Sequence, residues 1–485
     1  MKMETVLIKV LTEYGTVLAS SHGVKLKDHV LCYAGPFAAL PNVIDNGGSV
    51  PVEVFQKYRF DMISSSVPRS MVDFEFRKIY CVATYTCDFI RATLDHDLQD
   101  LCFGTETSTN RLPNKNFSLI LMFSVNTKCD NVTEVLYEFL DYLSPLTRKM
   151  IGNPVTIYST PFRNLFLFNS QSNGIVCNLF GRNDCLFLTD AKLSSGCEGA
   201  PVYSSHGELF GTVANVFTWC KGEWMGFTLA VHFHPVLKAW LNIEEKKSVT
   251  SLRDISVLRN CFVEEIDSLG VVLISGSKGI WGSGVVFDIH AGLILTCSHV
   301  VSFSTQTNVL VEYKRKKYYN AKILYATAEN SPYDLAVIEV PPSNFKECTE
   351  FKAPLTHSNR GEQVYTVAYP LFSFKNQTIQ GPSVTYGHIA KVYPRSMIIA
   401  ACASNSGSSG GALIRKNGEL IGIISNNLRV QDLLVPHMTI AIPASVFIGP
   451  LKDYIRTKDV NHLSRLTVND EYARRVWRLE NKSKL

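Results

Sequence analysis

Short apolar runs broken by turn residues dominate this chain, and few stretches show the 3.6-residue period of an amphipathic helix. Asn417-Gly418 separates two such runs within residues 412–424, and we expect both residues to adopt the positive φ angles of a tight hairpin turn. A second hairpin is expected from residues 308–313 and 318–325, joined through Lys314-Arg-Lys-Lys317. The pattern predicts an all-β fold built of sandwiches or barrels.

Two segments depart from this strand pattern. Residues 244–251 are polar and charged, which predicts a linker between two halves. Residues 469–480 favour a helix that begins near Asp470 and places Tyr472, Val476 and Leu479 on one face.

The two halves share an internal repeat. Ser195-Gly-Cys-Glu-Gly-Ala-Pro-Val recurs 211 positions later as Ser406-Gly-Ser-Ser-Gly-Gly-Ala-Leu, and the offset continues without a gap to Asn215 and Asn426. A repeat of this length indicates one β domain present twice.

Composition limits the class of protein. A chain of 485 residues that is 46% apolar has enough material for two or three packed domains, and its net charge of +5 is too small for a nucleic-acid-binding surface. The 13 cysteines form no Cys-x-x-Cys pair, and the N-terminus lacks the apolar core of a secretory signal. We therefore expect reduced, intracellular thiols, and no apolar run is long enough to span a membrane.

Three residues in the second half have the order and setting of a catalytic triad. His299 follows the apolar run 293–296, Asp334 precedes another at 335–338, and Ser409 lies in Gly407-Ser-Ser-Gly-Gly. A serine hydroxyl becomes a nucleophile when an imidazole removes its proton, and a carboxylate orients that imidazole. The glycines allow the amides of Gly407 and Ser409 to point at a developing oxyanion.

Each element alone has an ordinary explanation. A histidine after a strand is often structural, an aspartate before a strand is often a cap, and a Gly-Ser segment is often a linker. The linker explanation fails here because strands closely flank the segment on both sides. The combination therefore predicts a serine-protease site.

Residues 257–447 resemble the trypsin-like fold and, in detail, its HtrA/Deg branch. The resemblance lies in Gly282-Ser-Gly-Val-Val, Ile294-Leu-Thr-Cys-Ser-His-Val, Asp334-Leu-Ala-Val, Gly407-Ser-Ser-Gly-Gly and Ala441-Ile-Pro. It implies two six-stranded antiparallel barrels, with His299 as general base, Asp334 as its orienting carboxylate and Ser409 as nucleophile. No segment resembles the PDZ domain that often follows in HtrA proteins.

The same resemblance locates a specificity pocket. Its floor would be Ala403, and its wall would be Ser425, Asn426 and Asn427. Neither place offers a carboxylate for a basic side chain, so a small or uncharged residue is expected before the scissile bond.

The first half lacks all three catalytic residues. Glu198 occupies the position of Ser409, residues 31–36 the position of the His299 motif with Pro36 in place of a base, and residues 117–121 that of Asp334. We expect a degenerate domain kept for binding, regulation or stability. A carboxylate active site built on Glu198 is the alternative, although no second acid is evident beside it.

Other features receive ordinary interpretations. The basic turn 314–317 is expected to be a solvated hairpin rather than a nucleic-acid site. His232 and His234 have no evident third ligand, so no metal is predicted. Cys297 is expected to be a packing residue, and no cofactor is implied.

The chain ends Ser483-Lys484-Leu485, the tripeptide that an import receptor reads for delivery to the peroxisomal matrix. With the serine domain and the degenerate half, it makes the chain resemble the peroxisomal leader-peptide-processing proteases. That family implies an endopeptidase that removes N-terminal presequences from imported enzymes, often after cysteine, trims some β-oxidation enzymes and cleaves itself.

The resulting expectation is an all-β protein with two trypsin-like double-barrel domains in tandem, the first degenerate, followed by a short helix and tail. The predicted boundaries are 1–243 for the degenerate domain, 244–256 for a linker, 257–450 for the catalytic domain and 451–485 for the helix and targeting tail. A non-catalytic peptide-binding or chaperone-like protein and a general degradative protease remain alternatives, and a homo-oligomer is left open.

Overall fold

A computed structural model of the chain gives two compact units, Met1–Asn260 and Cys261–Leu485. The residues it describes are 3–12, 14–37, 40, 43, 50–64, 76–96, 98, 101–103, 118–127, 131–216, 218–220, 223–243, 269–275, 281–302, 308–313, 317–329, 331–342, 348–370, 372–373, 378–379, 381–430, 433–468 and 470–477. The predicted linker 244–256 and the tail Ser483-Lys484-Leu485 lie outside these residues.

The first unit contains two closed, six-stranded antiparallel barrels. Its strands are β1 Glu4–Leu11, β2 Val17–Leu26, β3 His29–Tyr33, β4 Arg59–Ser64, β5 Arg77–Thr86, β6 Leu101–Phe103, β7 Leu119–Ser124, β8 Pro154–Ser159, β9 Ser170–Phe180, β10 Leu186–Thr189, β11 Pro201–Ser204, β12 Leu209–Asn215, β13 Thr218–Cys220, β14 Glu223–Trp224 and β15 Thr228–His232. The barrel orders are β1-β2-β3-β7-β5-β4 and β10-β15-β12-β11-β8-β9, and β14-β13-β6 form a small sheet.

The second unit repeats this arrangement. Its strands are β16 Val271–Ser275, β17 Trp281–Asp288, β18 Leu293–Thr296, β19 Asn308–Tyr313, β20 Lys317–Ala326, β21 Ala336–Glu339, β22 Gln363–Ala368, β23 Phe372–Ser373, β24 Thr378–Ile379, β25 Ser383–Tyr393, β26 Met397–Ala400, β27 Ala412–Ile414, β28 Leu420–Val430 and β29 Leu433–Pro443. The barrels are β16-β17-β18-β21-β20-β19 and β22-β25-β26-β29-β28-β27, and β23 pairs with β24.

Short helices occur between and after the strands of both units. They are α1 Val52–Gln56, α2 Asp88–His96, α3 Val132–Asp141, α4 Phe233–Trp240, α5 Ser298–Val301, α6 Ala444–Thr457 and α7 Glu471–Trp477. No helix among the described residues is long and apolar enough to span a bilayer. The prediction of an all-β fold with two double-barrel domains in tandem is confirmed.

Alternating side chains of the strands fill each barrel, because closure turns one face of every strand inward. In the first barrel the Phe60 ring meets those of Phe37 and Phe123 at centroid distances of 5.8 and 4.8 Å. The cysteines described with their side chains are free thiols, and all but Cys348 are buried.

Two local predictions need correction. In the hairpin between β27 and β28, Gly418 has a φ of +82°, whereas Asn417 is not among the described residues with positive φ. The N–H of Gly418 donates to the Arg415 carbonyl at 3.0 Å and that of Arg415 to the Glu419 carbonyl at 3.0 Å, and the strand register shifts beside the turn. The turn therefore contains a bulge, which needs one left-handed residue instead of two.

The terminal helix also differs from the prediction. The expected apolar face was wrong, because Tyr472 is 48% exposed while Ala473 is buried. The Trp477 indole N–H donates to the Ser396 carbonyl at 3.0 Å, which turns the Ala473–Trp477 side of α7 inward. The predicted boundary at residue 450 lies inside α6, whose buried Phe447, Leu451 and Tyr454 follow a helical spacing.

Candidate active site

His299 and Asp334 meet at the ends of two paired strands of the second unit. Thr296 at the end of β18 pairs with Ala336 at the start of β21, so the residues just beyond these positions lie side by side. The Asp334 carboxylate accepts a hydrogen bond from the His299 amide at 3.0 Å and contacts Nδ1 of its ring. Because a carboxylate only accepts, Nδ1 carries the proton and Nε2 is left as a base.

Ser409 lies in the turn between β26 and β27. Its Oγ donates to the Ser425 carbonyl at 3.0 Å, and no hydrogen bond joins it to His299 in the described part of the chain. The structure thus brings His299 and Asp334 together and holds the Ser409 hydroxyl on Ser425. Rotation about the Cα–Cβ bond of Ser409 is the motion that frees its hydroxyl for a base.

The predicted oxyanion amides are free. Within the residues that the structure describes, the N–H groups of Gly407 and Ser409 donate to no acceptor. Gly407 has a φ of +92°, and a Cβ there would lie 2.2 Å from the Trp281 Nε1. Only glycine fits this position, so the turn that exposes the two amides requires it.

Ser283, on β17, anchors this turn and was not singled out from the sequence as a functional residue. Its Oγ donates to the Gly407 carbonyl and accepts from the Tyr369 amide, both at 2.8 Å. Its amide donates to the Ser409 carbonyl at 2.7 Å. The available signal was a serine between two glycines in an otherwise apolar strand.

The predicted pocket residues differ in exposure. Ala403 and Ser425 are buried, Asn426 is exposed, and the side chain of Asn427 lies outside the described residues. The Ala403 carbonyl accepts from the Thr385 Oγ1 at 2.8 Å, a contact that sequence reasoning missed. No acidic residue occurs at the predicted floor or wall.

Cys297 is a packing residue, as its surroundings show. Its Sγ donates to the Ile424 carbonyl at 3.2 Å, and complete burial raises the pKa of the thiol well above its usual value. Sγ lies within 4.8 Å of ligand atoms of His299 and Asp334. A buried thiol that stays protonated is a poor nucleophile, which fits a packing role for Cys297.

The first unit reproduces the turn but not the chemistry. The left-handed glycines recur 211 residues apart, with φ of +94°, +80° and +82° at Gly196, Gly199 and Gly207 and of +92°, +85° and +82° at Gly407, Gly410 and Gly418. At the position of Ser409, the Glu198 Oε2 accepts from the Gly196 amide at 2.9 Å. The glutamate carboxylate therefore binds the Gly196 amide, whose counterpart in the second unit, the Gly407 amide, donates to no acceptor among the described residues.

Strand registers identify the other two positions in the first unit. Leu31 pairs with Val24 as Leu295 pairs with Val285, which aligns Gly35 with His299. Leu31 also pairs with Met122 as Leu295 pairs with Val337, which aligns Leu119 with Asp334. The expectation of a proline in place of the histidine is corrected to Gly35, and neither side chain can move a proton.

His22 occupies the place of Ser283. The Glu198 carbonyl accepts from the Nδ1 of His22 at 2.9 Å, and Nε2 then accepts from the Thr160 hydroxyl at 2.9 Å. Burial lowers the pKa of His22 to about 4, against a weaker raising effect of the Glu198 carbonyl. A neutral imidazole on β2 thus ties the degenerate turn to the other barrel of its unit.

The structure describes the two remaining sequence features to different extents. His232 accepts from the Leu146 amide at 3.0 Å through Nε2 and donates to the Asp184 carbonyl at 3.0 Å through Nδ1, so no ring nitrogen is left for a metal. In the basic turn, residues 314–316 lie outside the described residues and Lys317 begins β20.

Comparison with known proteins agrees with this geometry. Residues 282–423 match the trypsin-like peptidase domain family. The chain is 31% identical to the peroxisomal leader peptide-processing proteases of Mus musculus over 371 residues and of Homo sapiens over 363 residues. Each alignment covers 70% of this chain and 62% of the relative, so the chain spans about three-fifths of the length of these relatives.

A bacterial relative covers a smaller part of the chain. The periplasmic serine endoprotease DegP of Escherichia coli (strain K12) is 34% identical over 151 residues, which is 29% of each chain. Residues 282–423 therefore match a trypsin-like peptidase domain and are similar to HtrA/Deg proteases, within a sequence that is similar to peroxisomal leader peptide-processing proteases along 70% of its length.

Proposed function

We propose that this chain is a serine endopeptidase that uses Ser409, His299 and Asp334. The observation that supports this most directly is the pairing of the Asp334 carboxylate with the Nδ1 of His299 beside two unoccupied amides, those of Gly407 and Ser409. Acyl transfer to a serine requires a base in the correct tautomer and N–H groups that can donate to the developing oxyanion, and this site offers both.

The reaction would proceed in two displacements. Ser409 Oγ leaves the Ser425 carbonyl, gives its proton to Nε2 of His299 and attacks the scissile carbonyl, whose oxygen accepts from the amides of Gly407 and Ser409. The C–N bond then breaks as the His299 imidazolium protonates the amine. Water, deprotonated by the same ring, hydrolyses the acyl-enzyme and returns the proton to Ser409.

The relatives support a proposal for the substrate class. We take protein precursors that carry N-terminal peroxisomal presequences as substrates, because two relatives are named for leader-peptide processing in the peroxisome. Trimming of β-oxidation enzymes and self-cleavage are further proposed activities, which the family resemblance of the sequence implies. The uncharged floor at Ala403 fits a small residue before the scissile bond, such as cysteine or alanine. Binding of Ser483-Lys484-Leu485 to an import receptor would deliver the chain to the peroxisomal matrix.

The test combines active-site labelling with processing. The purified chain is treated with a fluorophosphonate probe beside Ser409→Ala and His299→Ala, and then incubated with a matrix-enzyme precursor that retains its presequence. Labelling that requires both residues, together with one discrete cut near the precursor N-terminus, is the expected result.

Other outcomes separate the competing functions. Labelling with ragged digestion of the precursor would favour a general degradative protease. If the wild-type chain neither labels nor cuts but retains the precursor, the endopeptidase proposal is wrong and a peptide-binding function replaces it.

A further inference from the structure

The first unit contains a cavity of about 810 Å³ to which no role has been given so far. It is lined by β1, β8 and β11, by the end of α3 and by the turn between β11 and β12. The side chains that give it its chemistry are Asp141, Tyr142, Tyr158, Tyr203, His206 and Glu208.

The cavity carries negative charge without a matching cation. Asp141 and Glu208 line it, whereas no lysine or arginine does. Asp141 is the last residue of α3, where the exposed carbonyl ends of the helix disfavour an acid, and the last turn holds no basic residue. Across the described residues Asp141 makes no ion pair, and nearby Lys27 is bound to Glu138 at 2.6 Å.

Three tyrosine rings complete the lining. Tyr158 and Tyr203 pack edge to face at a centroid distance of 5.9 Å, and Tyr203 is only 9% exposed. Burial raises the pKa of Tyr203 to about 12, so its ring stays a neutral phenol at physiological pH. Tyr142 is 40% exposed and lies beside Asp141. Aromatic faces beside carboxylates attract cations, and the attraction grows as the cation loses water.

We infer that this cavity binds arginine side chains of a polypeptide. A planar guanidinium can stack on a tyrosine face and pair with a carboxylate through two parallel hydrogen bonds, which a lysine ammonium cannot do. The polypeptide character of the ligand rests on the proposed function, and the guanidinium class rests on the cavity alone. The first unit would then hold a basic segment of a substrate without taking part in the chemistry.

The experiment uses the full chain with Ser409→Ala, so that no probe is cut. A fluorescein-labelled tri-arginine peptide amide and the matching tri-citrulline peptide, which keeps the shape but loses the charge, are titrated by fluorescence anisotropy. We expect tri-arginine to bind at least about tenfold more tightly than tri-citrulline, and tri-lysine to fall between them.

Variants connect this binding to the cavity. Asp141→Asn combined with Glu208→Gln should weaken tri-arginine binding about tenfold, and Tyr142→Leu should weaken it with the charges intact. Glu53→Gln, an exposed carboxylate on α1 of the same unit, should change nothing. Unchanged melting temperatures would establish that the variants are folded.

Three results would overturn the inference: equal affinity for tri-arginine and tri-citrulline, undiminished binding to the Asp141/Glu208 variant, or an equal loss in Glu53→Gln. Failure here is distinguishable from failure of the proposed function, because fluorophosphonate labelling of Ser409 in the wild-type chain does not depend on the cavity. If Ser409 is labelled but tri-arginine does not bind, only the arginine-binding proposal is wrong. If tri-arginine binds but Ser409 is not labelled, only the endopeptidase proposal is wrong.

Discussion

Ser283 links the turn that carries Gly407 and Ser409 to the other barrel of its unit. Its hydroxyl satisfies two backbone groups, the Gly407 carbonyl and the Tyr369 amide, and is fully buried. Removing a buried partner leaves such groups unpaired at a cost of roughly 1–3 kcal/mol each. The geometry of the oxyanion amides therefore depends on a residue that does not touch the substrate.

Ser283→Ala is accordingly expected to lower kcat by about tenfold to a hundredfold with little change in KM, because the amide of Gly407 acts mainly on the transition state. Steady-state kinetics on a peptide with alanine before the scissile bond measures this. Ser445→Ala, which removes an exposed hydroxyl on α6 away from this turn, is the control. A KM effect with kcat unchanged would contradict the positioning role.

Buried histidines make the first unit sensitive to acid. Burial lowers the pKa of His22 to about 4 and that of His232 to about 3, against an ordinary value of 6.5. The unfolded chain then binds more protons than the folded one between these values and pH 6.5, so stability is complete above about pH 6.5 and falls on acidification toward pH 4. For His22 alone the loss amounts to roughly 3 kcal/mol.

Calorimetric melting from pH 7.5 to pH 4.5 tests this expectation. The transition of the first unit should move to lower temperature as the pH falls, and His22→Gln should flatten that dependence. A transition that moves equally in wild type and His22→Gln would mean that other groups control it.

At the scale of elements, the segment after β29 joins both barrels of the second unit. The Phe447 ring on α6 meets Phe287 of β17 edge to face at 6.4 Å, and the Trp477 ring on α7 meets Tyr333 at 6.1 Å. Tyr333 is the residue before Asp334, and its hydroxyl donates to the Arg395 carbonyl. The terminal helix thus packs against the residue that precedes Asp334, the proposed orienting carboxylate.

Trp477→Ala should therefore reduce kcat/KM several-fold and lower the stability of the second unit by about 2 kcal/mol, since the indole is partly buried. Peptidase assays and thermal melting of the same preparation measure both effects. Arg475→Ala, an exposed change on the same helix, should have neither effect. Equal losses in the two variants would indicate a general defect of α7 instead.

The pattern of the sequence was most informative where one local rule determined the structure. The left-handed glycine of the Asn417-Gly418 hairpin and the antiparallel pairing of β19 with β20 were readable because each depends on neighbouring residues. Helix α6 was hidden by Gly449-Pro450, which normally end a helix, although tertiary packing of Phe447 and Leu451 holds this one together. The buried face of α7 depends on Ser396 and Tyr333, which are distant in sequence.

At the scale of the whole molecule, one fold occurs twice, and the two copies carry different residues at the three triad positions. The 211-residue offset predicted the repeat, and the glycine φ angles follow it closely because the turn can be built in few other ways. The same offset identified Glu198, but its bond to the Gly196 amide could not be foreseen, since side-chain direction is not encoded in spacing. Asp141 and Glu208 are likewise separated along the chain and line one cavity only through the packing of the fold.

Glu198→Ala should accordingly leave peptidase activity unchanged, because neither Gly35 nor Leu119 can serve as base or orienting group in the first unit. The loss of the hydrogen bond to Gly196 should cost that unit about 1 kcal/mol. Activity assays beside calorimetry measure the two effects. A fall in activity comparable to that of Ser409→Ala would show that the first unit takes part in catalysis.

The carboxylate of Glu198 resembles the acid product of peptide hydrolysis, held on the amide where such a product would sit. In the first unit this amide is therefore already bound by the protein's own carboxylate. A tight-binding peptide boronate adds to a serine hydroxyl and places an oxygen on the neighbouring amides. It should therefore bind once per chain, at Ser409 and the amides of Gly407 and Ser409. Its titration endpoint counts molecules of protein directly, despite the two copies of the fold.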